Sequence, residues 1–102
     1  MSEKIKYILY FWKKEESVNH EQIIEEVRDM YPDALLADGY EKAIIGWCNN
    51  TGRVIYDASK MVKILMAEDG IDEIEAIEYL EFNVFGAYVG EMTPIYLQKP
   101  PL

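Results

Sequence analysis

The segment 42-KAIIGWCNNTGRVIYD-57 decides the fold. Lys42 to Cys48 and Arg53 to Tyr56 are rich in Ile, Val, Trp and Tyr, which suit a pleated, half-buried surface. Asn49-Asn50-Thr51-Gly52 lies between them, and Asn and Gly tolerate the positive φ that short hairpin loops need. The reading is an antiparallel hairpin. Asp57 then stands where a helix cap belongs, since a carboxylate there accepts from the first free amides.

Working outward from the hairpin, the next helix buries Met61, Ile64, Leu65 and Val62, and Gly70 suits its end. Asp72 with Glu75, after Ile71, resembles a capping box. Ile77, Leu80 and Val84, joined by Ala76, form the inner stripe of a further helix, which Gly86 ends or loosens. Ile95 to Leu97, after Pro94, reads as a last edge strand, because proline cannot donate to a ladder.

On the N-terminal side, Asn19 and Gln22 mark a helix start. Ile23, Ile24, Val27, Met30 and Tyr31 recur at helical spacing until Pro32 stops them. Asp38-Gly39 is a turn signal. Ile5 to Trp12 reads as a nearly continuous apolar, central strand. The predicted order is β-α-β-β-α-α-β over one domain, residues 1–102. The class is α+β: a small, mostly antiparallel sheet with helices on one face.

The chain has 102 residues, half of them hydrophobic, and a net charge of −9. Residues 1–63 hold nine basic and eleven acidic groups, whereas residues 64–102 hold one basic and eight acidic groups. Such a field repels nucleic acid and anionic membranes, so direct binding to either is not expected. It favours a basic protein partner. The longest apolar run, Ile8 to Trp12, is too short to span a membrane. The start MSEKIKYILYFWKKEES lacks a small-residue cleavage site, so no signal peptide is expected. A single cysteine, Cys48, permits no internal disulfide and fits a reducing, cytoplasmic setting.

Several chemistries lack their residues. One histidine (His20) and one cysteine make no zinc cluster. His20 reads as a surface or capping residue and Cys48 as a small core residue. No phosphate-binding glycine motif is present. No catalytic pair can be named, so a non-enzymatic protein without cofactor or metal is expected.

Three constellations remain. From Glu68 to Glu81 there are seven acids and no base. Glu75, Glu78 and Glu81 fall opposite the inner stripe, with Tyr79 and Phe82 beside them. Either this is a solvated face, or it is a docking surface on which aromatics bury area and acids steer a basic partner. Tyr56-Asp57 with Lys60 marks a strand-to-helix junction, where Lys60 could pair with Asp57. Asn83 falls toward the interior by helical phase and is expected to bond the loop from Gly86 to Thr93. Together Asp57, Lys60, Asn83, Tyr88 and Thr93 are the candidates for a small-ligand pocket.

The order and spacing of Asp38-Gly39, Ala43-Ile44-Ile45-Gly46, Tyr56-Asp57 with Lys60, Ile64-Leu65-Met66, Glu75-Ala76, Glu78-Tyr79, Glu81-Phe82-Asn83, Gly86-Ala87-Tyr88-Val89-Gly90 and Thr93-Pro94 resemble a family of small, functionally uncharacterised proteins of tailed bacteriophages and prophages. The resemblance covers about residues 38–97. It implies a phage origin and action in the host cytoplasm during infection, and it assigns no catalytic residue. The expected role is an accessory protein that binds and modulates or inhibits a host protein, of the anti-defence or host-takeover type. Two rivals are a protein that sequesters a nucleotide signal and a self-assembling structural or regulatory protein, for instance a homodimer.

Overall fold

In the hairpin, Ile44, Val54 and Tyr56 are fully buried. The structure, a computed structural model, describes residues 19–100. Strand β1 (Ile44–Trp47) pairs antiparallel with β2 (Val54–Asp57), with Ile44 opposite Tyr56 and Trp47 opposite Val54. A bulge between Ile44 and Gly46 interrupts the ladder. The four-residue loop is as predicted: Gly52 N–H donates to Cys48 O at 2.8 Å and Cys48 N–H donates to Arg53 O at 2.7 Å. The first strand is shorter than expected, because Glu41–Ala43 form a 3-10 turn.

The sheet continues through β3 (Ile95–Leu97), which lies beside β2 in parallel, Ile55 facing Ile95 and Tyr56 facing Tyr96. The strand order is β1-β2-β3. The α+β class stands, with a mixed sheet of one antiparallel and one parallel pair among the described residues. The cause is the connection: two helices intervene between β2 and β3 and carry the chain back to the end where it started. The predicted strand from Ile5 to Trp12 lies outside the described residues.

Three helices are found among those residues. In α1 (His20–Met30) the Asn19 side chain accepts from Gln22 N–H at 3.1 Å, as the capping pattern predicts. In α2 (Ala58–Asp69) Asp57 accepts from Lys60 N–H at 3.2 Å. Gly70 ends that helix in the left-handed region, φ 65°, with its N–H on Met66 O at 3.0 Å. In α3 (Glu73–Leu80) Asp72 accepts from Glu75 N–H at 2.9 Å. Each cap satisfies an amide that the helix start leaves without a partner.

Period-2 alternation turns Val54 and Tyr56 to one face of β2. There they join Val27 of α1, Met61, Val62 and Leu65 of α2, and Ala76 and Leu80 of α3 in one buried cluster. Burial of each large aliphatic side chain stabilises by about 2 kcal/mol. His20 ties α1 to this sheet: its Nδ1 lies 3.0 Å from Ile44 O. A carbonyl can only accept, so the ring must carry its proton there.

Tyr31, just past α1, sets a second constraint. Gly52 has φ 77°, and a Cβ built there would overlap the Tyr31 ring. The hairpin loop therefore needs glycine for its backbone and for its neighbour. Gly52→Ala is expected to destabilise by about 2–4 kcal/mol, through left-handed strain and overpacking. The measurement is a urea midpoint. In a Tyr31→Ala background the loss should fall by about half; an equal loss in both backgrounds would exclude the ring as a cause.

Candidate functional site

The acidic helix begins at the Asp72 cap and hides Ala76 and Leu80 completely, with Ile77 and Val84 half-buried beside them. That fixes the outward side. Glu75, Glu78, Glu81, Tyr79 and Phe82 are all exposed, as their phase predicts. Phe82 is 88% exposed and Tyr79 50%. Ile74, one position before Glu75, is 69% exposed and extends the apolar part of the surface. The sequence reading passed over Ile74, although its i, i+4 spacing to Glu78 placed it on this side.

The surface reaches the end of α2. Tyr40 is half-buried, and its phenol pKa is raised, first by burial and then by the nearby charges of Tyr79, Glu68 and Asp69. Those last three groups thus lie within electrostatic reach of one ring.

Beyond Leu80 the helix does not simply end. Glu81–Phe85 form a π-helical turn, closed by Gly86 N–H on Glu81 O at 3.2 Å. This changes the phase that placed Asn83 inside. Asn83 is exposed, and its Nδ2 donates to Tyr79 O at 3.0 Å, not to the loop ahead. The bond gives the Tyr79 carbonyl a donor where the main-chain ladder changes register.

The loop after the π turn is held by Thr93 instead. Its buried hydroxyl accepts from Val89 N–H at 3.0 Å and donates to Gly90 O at 2.6 Å. Its carbonyl accepts from Arg53 Nε at 2.6 Å. The Thr93 hydroxyl proton is therefore already engaged, and the residue works as a pin. Tyr88, 77% exposed, stands on the loop that Thr93 holds.

Two open clefts flank this loop. The larger, of about 640 Å³, includes Arg53, Glu81, Phe85, Tyr88, Tyr96 and Gln98 in its wall. The smaller, of about 350 Å³, includes Leu36, Asp38, Asn83, Val89 and Tyr96. Of the five predicted pocket residues, Tyr88 borders the larger cleft, Asn83 the smaller and Thr93 both. Asp57 and Lys60 line neither. Asp57 is used elsewhere: besides capping α2 it lies 3.6 Å from Lys99 Nζ, so its ion-pair partner is Lys99 instead of Lys60. Arg53 was not singled out in the sequence, because a lone arginine after a loop glycine carries no local signal.

Cys48 is not a core residue. β1 ends at Trp47, so the thiol sits half-exposed at the mouth of the hairpin. Its pKa is lowered, first by a hydrogen bond with the Thr51 side chain and then by the main-chain amides of Thr51 and Asn50. Among the described residues no group of three or more His, Cys, Asp or Glu side chains could hold a metal ion. No helix among them is long and apolar enough to cross a membrane.

Comparison with protein-family models, with curated proteins and with solved structures finds no match to this chain.

Tyr56 supplies a pH test of this description. Burial pushes its phenol pKa up to about 12, outweighing the Ala37 N–H bond, which favours the anion. The unfolded chain releases that proton near the usual 10.0 while the folded chain holds it. Stability is thus intact below about pH 10 and falls as pH rises from about 10 to about 12, by roughly 3 kcal/mol. Tyr40 and Tyr96, also raised, add to the same slope. Tyr56→Phe should lose about 1–3 kcal/mol at neutral pH, through the stranded Ala37 amide, and flatten most of the alkaline slope. A slope unchanged by the substitution would contradict the assignment.

Proposed function

We propose that this chain is a small acidic phage accessory protein. It binds a host protein through the outward side of α3 and the π turn, and modulates or inhibits that protein without catalysis. The observation that carries the reading is Phe82, 88% exposed beside Tyr79, on a segment whose acids have no base among them. A phenylalanine left in water forgoes about 2 kcal/mol of burial, which association can recover. The carboxylates add steering toward a basic surface and a salt-dependent on-rate. The resemblance to phage proteins supports action in the host cytoplasm during infection, and the acidic, aromatic surface supports an anti-defence or host-takeover role.

Opposite charge on the partner is favoured over self-association through this side. In a symmetric dimer Glu75, Glu78 and Glu81 of both copies would meet like charges. A nucleotide-sequestering role has less support. Asp57 occupies the start of α2 that an anion would need, and Lys60 stands apart from both clefts.

Affinity capture from infected host cells with three forms of the chain tests the proposal. The wild type should retain a host protein in a salt-sensitive manner. Phe82→Ser should weaken retention at least about tenfold, and Glu75→Lys/Glu78→Lys/Glu81→Lys should abolish it. All these positions are exposed, so thermal unfolding should change little. Equal capture by all three forms refutes the reading. A dimer by light scattering that Phe82→Ser dissociates would favour self-assembly in its place.

A further inference from the structure

We propose that the larger cleft is a binding site for a carboxylate carried on an aromatic or apolar body, with Arg53 as its anchor. This goes beyond the host-protein reading: the cleft is anchored by Arg53 and shares only Glu81, which lines its wall, with the acidic surface. The cleft, about 640 Å³, has the size of a small-molecule or peptide-end site. Phe85 and Tyr96 meet in its wall with ring centroids 4.9 Å apart, and the exposed Tyr88 stands at its border. An apolar group can be buried there.

Arg53 supplies the charge. Its Nε is fixed on Thr93 O at 2.6 Å, which orients the planar guanidinium. One of five N–H donors is thereby used. Arg53 is half-exposed and its side chain makes no other hydrogen bond among the described residues, so its remaining donors are open to a ligand. A guanidinium held in advance and edged by aromatic rings matches a carboxylate on a flat or apolar group.

The same cleft selects against more highly charged anions. Glu81 shares its wall, and the chain as a whole carries −9. A phosphate dianion would meet that repulsion twice over, whereas a single carboxylate can sit on Arg53 away from Glu81. Gln98, also in the wall, offers a neutral amide to a peptide or amide group next to the carboxylate. Both a free aromatic acid and the C-terminal end of a peptide present this chemistry.

Amide chemical shifts of the full-length chain can be followed during titration with N-acetylphenylalanine, its C-terminal amide and phenyl phosphate. The acid is expected to perturb residues 53, 85–88 and 96, and to bind about tenfold or more tightly than the amide. Phenyl phosphate should bind more weakly than the acid. Arg53→Lys should remove the preference for acid over amide. Because that change also releases Thr93, Glu81→Gln provides an independent check at an exposed position. It should tighten acid binding about threefold and leave amide binding unchanged. A decapeptide ending in a free phenylalanine carboxylate separates the two sources. If it binds at least tenfold better than N-acetylphenylalanine, the ligand is a chain end, and otherwise a small acid. No perturbation at these residues, equal binding of acid and amide, tighter phosphate binding, or no response to Glu81→Gln would each overturn the proposal.

Discussion

The packing of this molecule depends on one buried ring. Tyr56 lies at the centre of the three-stranded sheet, between Ile44 of β1 and Tyr96 of β3, with no exposed surface. Its hydroxyl accepts the Ala37 N–H at 2.7 Å, which anchors the connection between α1 and β1 to the middle of the sheet. The Tyr96 ring lies 5.9 Å from it, and Phe85 covers Tyr96 in turn. The two clefts and the π turn are arranged around this stack. Core and cleft wall are therefore joined by a continuous run of aromatic contacts.

Much of this organisation could be read from the chain because its causes are local. Asn19, Asp57 and Asp72 cap helices through bonds to amides three residues away, and Gly70 and Gly52 sit where the backbone turns left-handed. Nothing distant is needed to recognise them. The buried stripe of α3 is equally local, since Ala76 and Leu80 follow the ordinary helical period. Asn83 breaks the pattern because the π turn changes that period after Leu80. No residue in EFNVF announces the extra residue per turn. The structure shows it through Gly86 bonding Glu81, and then Asn83 turns back to Tyr79.

The features that escaped the sequence reading all depend on non-local meetings. The parallel pairing of β3 follows from how two helices return the chain, which β-strand propensity does not encode. The partner of Asp57 is Lys99, 42 residues on, because β3 brings the chain end beside the start of α2; Lys60, on the same helix, was the nearer candidate by spacing alone. Arg53 matters because β2 and β3 lie in register, which sets residue 53 against the carbonyl of Thr93, 40 residues away. Charge and aromatic content predict what kind of surface a segment makes, whereas pairing decides which residues share it.

That distinction bears on how this small chain separates the groups that hold the fold from those left outward. The bonds that hold the fold are directed inward: Tyr56 to Ala37, His20 to Ile44 and Thr93 to its own loop. The side chains left outward, Phe82, Tyr79, Ile74 and the carboxylates beside them, make none of these bonds. Repulsion among the acids slightly weakens the helix that carries them. A strong Asp72 cap and two fully buried residues on the inner side offset that loss. The outer side of α3 can therefore vary without changing the fold, whereas Arg53 both holds the loop through Thr93 and lines the larger cleft, and is constrained by each.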